Sequence, residues 1–394
     1  MKHLSQSPHD PAFIQNPYPF YDRARAAGPI VFWEDYSMPA AFDAGTVQAL
    51  LRDRRLGRAV PEAARKPVPD HMAPFHAVEQ HSMLELEPPD HTRLRGLVLR
   101  AFTSRRIASL KPDIEAVTAE LLTSLPRNAP FDLIPQFCAL LPVRIIARLL
   151  GVPEAMSPDL LRWSSAMVAV YQAGRNRAIE EAASQAAQEF ANFLTAYIEE
   201  RRQRPADDLI TQLIAAEQDG TRLSTAELIG TCVLLLNAGH EATVHSLGNA
   251  VACLLDHKTP MAMLMPDKIA GTCEELLRYT PPLHMFDRYV YEDVTLGDVT
   301  LPEGSRIGLI LAAAGRDPAV FSDPHRFAPE RSPHPHAAFG GGLHFCVGAP
   351  LARMEMQIAL PALFDALPDL RLAATPQFAD SYHFHKLDKL SVTA

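Results

Sequence analysis

A single cysteine lies among glycines in the stretch AFGGGLHFCVGAP, residues 338 to 350, which we call the cysteine loop. The thiolate form of Cys346 would be a strong ligand for a soft or borderline metal. Glycines on both sides, such as Gly342 and Gly348, allow the backbone to approach a flat cofactor and to turn its amide groups towards the sulfur. The loop therefore predicts a metal–thiolate site beside a planar group. A buried thiol in a glycine-rich loop is the structural alternative.

A second set of polar residues lies within a long apolar run, ELIGTCVLLLNAGHEATVHSLGNAVACLL. Ser224 and Glu227 have the spacing of a capping box, which predicts a helix of about 30 residues, about 45 Å long. The polar residues inside the run are Asn237, His240, Glu241, His245 and Asn249. These polar side chains would be energetically unfavourable inside a lipid bilayer. We therefore interpret the run as a buried helix and not as a membrane span. Gly239 weakens the helix at a point where a ligand could approach.

The composition excludes several classes of protein. The chain has 394 residues, of which 47% are hydrophobic and 21% charged, as in an ordinary soluble globular protein. A net charge of −9 and the lack of a Lys/Arg block argue against nucleic-acid binding. The first residues, MKHLSQSPHDPAFIQNPYPF, contain no apolar stretch typical of a signal peptide or membrane anchor. We therefore expect a cytoplasmic protein without a membrane or nucleic-acid partner.

The cysteines support the same interpretation. There are five, at widely spaced positions and with no C-x-x-C pair of the zinc or redox type. The four outside the cysteine loop lie in apolar helical patterns, where a thiol behaves as a small hydrophobic group. Their positions are Cys138, Cys232, Cys253 and Cys273. Cys346 is thus the cysteine whose surroundings suggest chemistry.

The elements that must position these groups are mostly helical. Amphipathic periodicity predicts helices over residues 104–125, 138–150, 176–203, 225–256, 269–279 and 349–367. Two short runs, PIVFWE and RYVYEDVTLGDVTLPEGSRIGLIL, predict strands with hairpin turns at Gly297-Asp298 and Glu303-Gly304. Internal repeats and low-complexity linkers are absent from the sequence. We expect one domain, residues 1–394, that is mainly α with a minor β part.

The cysteine loop fits the pattern F-G-x-G-x-H-x-C-x-G and resembles the haem-ligand loop of the cytochrome P450 family. The resemblance implies the P450 fold, with haem b between the long distal helix and the cysteine loop with its following helix. It implies Cys346 as the axial ligand of the haem iron. Further haem contacts would come from both sides, namely Phe339, Gly340, His344 and Gly348 in the loop and Ala238 and Gly239 in the distal helix.

Other stretches resemble family motifs in the family's order. EELLRY contains the E-x-x-R pair Glu275 and Arg278, which lie on one face of a helix. The later stretch RDPAVFSDPHRFAPER is similar to the segment that precedes the cysteine loop in the family. The resemblance implies that Arg331 completes a buried Glu-Arg-Arg cluster, whose role is structural.

Upstream, EPPDHTRLRGLVLRAF resembles the haem-facing helix of the family. Asp90 can cap this helix, and His91 and Arg95, four residues apart, project from one face. Their use would be to bind haem propionates, with forked charge-assisted bonds from the arginine. By family position, Arg288 and His344 should share this task. A surface-charged helix is the alternative for His91 and Arg95.

The distal motif departs from the family pattern A-G-x-[DE]-T. In AGHEAT, residues 238 to 243, Glu241 has the acid position, but Ala242 stands where threonine is usual. Thr243 follows, rotated by about 100° around the helix. The resemblance assigns proton delivery to this segment, so we take Glu241, Ala242 and Thr243 as the catalytic candidates. There are three explanations for the missing threonine. We favour the one in which a substrate hydroxyl or an ordered water replaces the missing alcohol. The other two are a kink at Gly239 that redirects Thr243 and a reaction other than hydroxylation.

The resemblance implies a monooxygenase that inserts one oxygen atom from O2 into a hydrophobic or amphipathic small molecule. No G-x-G-x-x-G lies between a predicted strand and helix, so electrons from NAD(P)H must come through separate proteins. A ferredoxin and its reductase are implied, docking over the cysteine side. We predict that this acidic carrier contacts Arg100, Arg105 and Arg106. The alternative is that these arginines are solvated surface charges that contact no carrier. We expect a monomer.

Two alternative functions share the cofactor. One is a peroxide-driven or redox-neutral haem-thiolate enzyme, which needs no electron carrier. The other is a haem-binding sensor without turnover, which predicts an attached output module, and none is visible in the sequence.

The substrate pocket should be lined by the distal helix, by the segment after E-x-x-R, by the loop before EPPDH and by the C-terminal turn. The predicted lining residues are Met72, Phe75, Met83, Leu235, Ala238, Ala242, Leu283, Met285, Phe286 and Tyr382 to Phe384. Apolar residues with several methionines suit an adaptable fit to a hydrophobic molecule. His284 and His383 could orient a polar end. Terpenoid, aromatic, fatty-acid and macrolide substrates all remain open.

Overall fold

The computed structural model describes residues 1–172, 174–218, 221–332 and 335–394. The α-helices of the described residues are α1 (Pro11–Gln15), α2 (Tyr18–Ala27), α3 (Ala44–Leu50), α4 (Ala73–Glu79), α5 (Asp90–Ala101), α6 (Ser104–Ser109), α7 (Lys111–Ser124), α8 (Leu140–Leu150), α9 (Ser157–Val168), α10 (Arg177–Gln203), α11 (Leu209–Ala215), α12 (Thr225–Asp256), α13 (Ile269–Tyr279), α14 (Leu311–Ala314) and α15 (Ala349–Ala366). None of the helices in these ranges is long and apolar enough to cross a membrane.

The strands are short and form a minor part of the structure, as predicted. They are β1 (Lys2–Leu4), β2 (Ile30–Trp33), β3 (Met38–Ala41), β4 (Leu56–Gly57), β5 (Phe131–Asp132), β6 (Glu217–Gln218), β7 (Thr221–Arg222), β8 (Met285–Val290), β9 (Val294–Leu296), β10 (Val299–Leu301), β11 (Arg306–Ile310), β12 (Arg371–Leu372), β13 (Gln377–Phe378), β14 (Leu387–Lys389) and β15 (Ser391–Thr393). The largest sheet has six strands in the order β1-β2-β3-β11-β8-β4. Its β1–β2 and β3–β11 pairs are parallel and the other pairs are antiparallel.

The long central helix α12 begins where the capping box predicts. The Ser224 hydroxyl accepts from the backbone N–H of Glu227, and the Glu227 carboxylate accepts from the backbone N–H of Ser224. The helix then runs without interruption to Asp256. Most of its residues are buried among the surrounding helices, so the chain uses it as the axis of the helical core.

Two predicted helices differ from the observed ones. The predicted helix 104–125 is divided into α6 and α7 at Leu110, because Pro112 lies in the first turn of α7, where its missing N–H costs no hydrogen bond. The predicted helix 138–150 begins only at Leu140, after a π-helical turn, and ends at Gly151 with φ of 84°. The predicted hairpin turn at Gly297 is confirmed, since Gly297 joins the paired strands β9 and β10 with φ of 57°. The turn at Gly304, with φ of 79°, is not a hairpin turn, because β11 pairs with β3 and β8 and not with β10.

The hydrophobic core has a large helical part and two smaller parts against the six-stranded sheet. The helical part joins α4, α5, α7 to α13 and α15 around α12. One smaller part packs aromatic residues of α1 and α2, including Phe13 and Tyr21, against Trp33 of β2 in the sheet. The other lies between α3 and β11. The fold thereby holds the start of α15, the end of α5 and the middle of α12 in fixed positions.

Candidate active site

The cysteine loop has a backbone that requires glycine. Gly340 and Gly342 have φ of 69° and 64°, in the left-handed region that other residues rarely adopt. A Cβ atom on Gly342 would also lie 2.2 Å from the carbonyl oxygen of Leu51, closer than any real contact. The loop closes on itself because the Cys346 N–H donates to the carbonyl oxygen of Phe339 at 3.1 Å. This geometry fixes the direction of the Cys346 side chain.

The Cys346 sulfur lies at the N-terminus of α15. Burial raises the pKa of the thiol, and the backbone N–H groups of Gly348 and Ala349 and the charges of Arg95 and Arg353 act in the opposite direction. These are the donors and charges that stabilise a thiolate. A thiolate with oriented N–H donors and one accessible side fits an iron ligand, so the loop fits the haem that the sequence predicts.

The middle of α12 exposes its smallest residues. Ala238 is exposed, and Gly239 and Ala242 are half-buried, whereas Asn237 and His240 beside them are buried. Ala238 and Ala242 are one helical turn apart and therefore share a face. An accessible strip of small side chains inside a core helix can lie against a flat group, which fits the predicted contacts of Ala238 and Gly239.

The predicted propionate ligands are brought together only in part. The rings of His91 and His344 lie 4.4 Å apart, and Nε2 of His344 is 3.0 Å from Oε1 of Glu87. His91 is buried and its Nδ1 has no hydrogen-bond partner among the described residues. Arg95 donates from Nη2 to the carbonyl oxygen of Phe345 at 2.7 Å, so it also supports the cysteine loop.

Electrostatics at this group favour an added carboxylate. Burial, then the charges of His344 and Arg95, lower the pKa of His91 to about 4. Arg288 is buried, and burial together with the charge of Arg58 lowers its pKa to about 10. A buried cation such as Arg288 is stabilised by an anion, and the neutral imidazole of His91 can still donate one hydrogen bond to it. The unpartnered Nδ1 of His91 and the buried Arg288 therefore fit haem propionates.

The three residues of the predicted structural cluster lie in contact. Arg278 donates from Nε and Nη2 to the two carboxylate oxygens of Glu275, both at 2.7 Å, and both side chains are buried. Arg331 donates from Nε to the same carboxylate at 3.3 Å. Arg278 also donates to the carbonyl oxygens of Gly315 and Pro324. The cluster joins α13 to the segment before the cysteine loop.

The distal acid is held by side chains from two helices. Ser165 of α9 donates to Oε1 of Glu241 at 2.9 Å, and Nε2 of His245 lies 3.1 Å from Oε2. Burial raises the pKa of Glu241, but the His245 hydrogen bond, nearby His240 and Ser165 outweigh it and lower the pKa to about 2. The Thr243 hydroxyl donates to the carbonyl oxygen of Gly239 at 3.1 Å. The helix is continuous through this segment.

The predicted pocket residues divide into separate groups. Met72, Phe75, Met83 and Leu235 belong to the helical core. Leu283 and Phe384 face each other in an isolated β-bridge, and Phe286 lies close enough to Gly340 that a Cβ atom there would be 3.1 Å from its ring. Met285 and Tyr382 pack instead in the core beside the sheet.

The two histidines considered for a polar end have other contacts. Nδ1 of His284 is 2.9 Å from the Tyr21 hydroxyl within the fully buried core, so His284 is not a pocket residue. Nδ1 of His383 is 2.7 Å from the carbonyl oxygen of Tyr171. The sequence could not place His284 because its burial depends on a contact with Tyr21, which is 263 residues away in the chain.

Three residues of the site were not predicted from the sequence. His245 has the i,i+4 spacing from Glu241 that could have revealed it. Glu87 precedes His91 by the same spacing, and its backbone oxygen accepts from the His91 N–H. Ser165 carries no local signal, because it is 76 residues from Glu241 in the chain.

Comparison with known proteins identifies the family. The cytochrome P450 family model matches residues 162–267 and 269–367. The polyketide biosynthesis cytochrome P450 PksS of Bacillus subtilis is 36% identical over 100% of this chain and 99% of its own length. The 6-deoxyerythronolide B hydroxylase of Saccharopolyspora erythraea is 40% identical over 73% of this chain and 70% of its own.

A solved structure agrees over the whole fold. P450BioI, in complex with an acyl carrier protein that bears hexadec-9Z-enoic acid, has a TM-score of 0.91 and 33% identity over 98% of this chain and 100% of its own. The mainly α architecture with a minor sheet is therefore the P450 fold. The chain belongs to the cytochrome P450 family and is a bacterial-type haem-thiolate monooxygenase that acts on small molecules with O2.

Proposed function

We propose that this enzyme inserts one oxygen atom from O2 into a hydrophobic or amphipathic small molecule, with electrons supplied from NAD(P)H through a ferredoxin and its reductase. The observation that carries the proposal is the accessible face of α12, where Ala238 and Ala242 leave room beside a buried acid, Glu241. The apolar residues predicted around it, such as Leu235 and Phe286, suit an apolar substrate. We also propose that residues 1–394 act as one domain.

Each group of residues has a role in this proposal. The haem, when bound, supplies oxygen activation at its iron. Cys346 is its thiolate ligand, and His91, Arg95, Arg288 and His344 bind its propionates. Phe339, Gly340 and Gly348 form the surface below it, and Glu275, Arg278 and Arg331 hold the scaffold.

Glu241 delivers protons into the pocket from the edge of the accessible face. Ala242 presents no hydroxyl there, and the Thr243 hydroxyl is engaged with the carbonyl oxygen of Gly239. A substrate hydroxyl or an ordered water therefore completes the path from Glu241. An amphipathic substrate with a hydroxyl near the oxidised carbon is favoured by this arrangement.

The electron carrier would dock beside the cysteine loop. Leu99 and Phe345 are 46% and 41% exposed, and Arg95, one turn before Leu99 on α5, contacts the Phe345 carbonyl. Arg100 and Arg105 are exposed nearby, whereas Arg106 forms an ion pair with Asp207. An apolar centre surrounded by arginines suits an acidic carrier. The ion pair with Asp207 holds the Arg106 side chain in place.

The absence of a hydroxyl at Ala242 also favours a second candidate, a peroxide-driven or redox-neutral haem-thiolate enzyme. Consumption of O2 and NAD(P)H with a surrogate ferredoxin pair, compared with product formation from hydrogen peroxide, distinguishes the two. Product that requires all of O2, NAD(P)H and the carriers supports the monooxygenase.

The substrate is found by a spin-state titration against a compound library. The library should contain polyketide lactones and long acyl chains, free and bound to an acyl carrier protein, because these chemistries occur in the names of the relatives. A compound that displaces the axial water shifts the Soret band and is then tested for turnover. A library in which only hydrophilic molecules cause the shift would contradict the proposed substrate class.

A further inference from the structure

His245 is a buried ionisable side chain to which the proposed function gives no task. It lies in α12, one turn after Glu241, and is 7% exposed. Its Nε2 is 3.1 Å from Oε2 of Glu241, within hydrogen-bond distance. A neutral imidazole donates through one ring nitrogen and accepts through the other, so His245 can exchange a proton with this carboxylate.

The Glu241 carboxylate is held at both oxygens. Ser165 of α9 donates to Oε1 at 2.9 Å, which leaves Oε2 to His245. His240 is adjacent in sequence, but its Nε2 is 3.8 Å from Oε1, too long for a hydrogen bond, and its Nδ1 is 3.2 Å from the Ser164 hydroxyl. His245 is thus the imidazole in direct contact with the acid.

The second ring nitrogen of His245 is also informative. Nδ1 is buried and has no hydrogen-bond partner among the described residues. The ring stands edge-on to Phe384 of the C-terminal segment, with 6.0 Å between centroids. An unpartnered buried nitrogen is unfavourable in a purely structural histidine, whereas a proton carrier needs one nitrogen free to change its protonation.

We propose that His245 positions Glu241 and returns to it the proton that Glu241 passes to the pocket. The inference rests on the proposed monooxygenase function. In the transfer, the N–H bond at Nε2 breaks as an O–H bond forms at Oε2, so the imidazolium becomes neutral and the carboxylate becomes a carboxylic acid. After Glu241 has delivered this proton, Nε2 takes the next one from a hydronium ion of the solvent, which leaves as water, so the total charge of the pair rises by one with each uptake and falls by one with each delivery.

The groups packed against this pair come from α9, the C-terminal segment and α12 itself. The groups that face it are the hydroxyls of Ser164 and Ser165 from α9, the Phe384 ring from the C-terminal segment and His240 from α12 itself. Burial lowers the pKa of His240, and the charge of His245 adds to this effect. Burial therefore favours the neutral form of His240.

The test uses the haem-loaded enzyme with His245→Gln, whose amide can donate to Oε2 but carries no titrating proton. His257→Gln is the matched control, because His257 follows the same helix at its far end and contacts the Cys253 carbonyl oxygen. The C–O stretching frequency of the ferrous carbon monoxide complex reports the charge of the distal side without turnover. Product formed per NAD(P)H consumed is measured across the same pH range.

In wild type and His257→Gln, the C–O stretch and the coupling should both depend on pH, because the pair exchanges protons with the solvent. In His245→Gln the shift should vanish, and coupling should be low and independent of pH, about tenfold below the wild-type maximum. A wild-type stretch that does not change with pH, or a His245→Gln variant with the wild-type shift and pH profile, would overturn the role of His245. Wild-type enzyme with no product under any condition would instead refute the proposed function.

Discussion

The cysteine loop and the distal segment, residues 238–245, carry the two parts of the proposed haem site and are built in different ways. The loop is fixed by its own backbone, through Gly340 and Gly342 at positive φ and the bond from the Cys346 N–H to Phe339. The distal segment is an uninterrupted helix whose acid is oriented by side chains, one of them from α9. The direction of the cysteine is therefore set within one loop, whereas the orientation of the acid depends on contacts between separate helices.

The largest expected effect comes from removing the ligand itself. Wild-type protein, reduced and treated with carbon monoxide, should show the red-shifted Soret band of thiolate-bound haem. Cys346→Ala should lose that band and all O2-dependent turnover, since no second cysteine lies in the loop. A Cys346→Ala protein that keeps haem and the same spectrum, beside wild type that lacks the band, would show that another residue binds the iron.

The substitution Gly342→Ala should be severely destabilising although it removes no functional group. The new Cβ would meet the Leu51 carbonyl oxygen at 2.2 Å at a residue with φ of 64°. We expect a loss of about 2–4 kcal/mol in stability. Thermal unfolding and haem content measure it. Gly271→Ala in α13, where the Cβ meets nothing within 4 Å, is the control and should be neutral or stabilising. Equal behaviour of the two variants would contradict the strain assigned to the loop.

On the distal side, Glu241→Gln keeps the shape and removes the proton. We expect turnover to fall by about 10- to 100-fold, while the spin-state titration gives an unchanged substrate affinity. Because the Ser165 hydroxyl can still donate to the amide oxygen, the helix packing should be preserved. If affinity and turnover fall together, the carboxylate is part of the substrate-binding surface and the proton role is lost.

Arg95 connects helix α5 to the cysteine loop. It was predicted as a propionate ligand, and it also donates to the carbonyl oxygen of Phe345 in the loop. Arg95→Leu should speed haem loss, with a cost of about 1–3 kcal/mol. The exposed Arg54 provides a control, Arg54→Leu, that removes a charge from the surface. Transfer of haem to an apoprotein acceptor measures the rate. Equal rates in Arg95→Leu and wild type would remove Arg95 from the site.

The same contrast explains what the sequence could predict. The capping box of α12, the glycine turns of β9–β10 and the cysteine loop are local signals, and each has the predicted structure. The break between α6 and α7 could have been foreseen from Pro112. The contact of Ser165 with Glu241 and the burial of Met285 and His284 against the N-terminal aromatic residues depend on packing between distant segments. Such contacts leave no periodic trace in one sequence.

The smallest expected effect comes from substitution of Thr243. It tests whether Ala242 or Thr243 has the position at which the family usually has threonine. The Thr243 hydroxyl donates to the Gly239 carbonyl oxygen, and it lies about 100° around the helix from Ala242, so it points away from the accessible strip. Thr243→Ala should therefore leave product per NAD(P)H within about twofold of wild type and change stability by about 1 kcal/mol or less. Ala242→Thr places a hydroxyl on the strip itself, where it competes with the water or substrate hydroxyl, and should lower coupling for the native substrate while improving it for a substrate without that hydroxyl. If coupling collapses in Thr243→Ala alone, with Glu241→Gln and Ala242→Thr like wild type, then protons pass through Thr243 and the distal side follows the usual alcohol path one residue later.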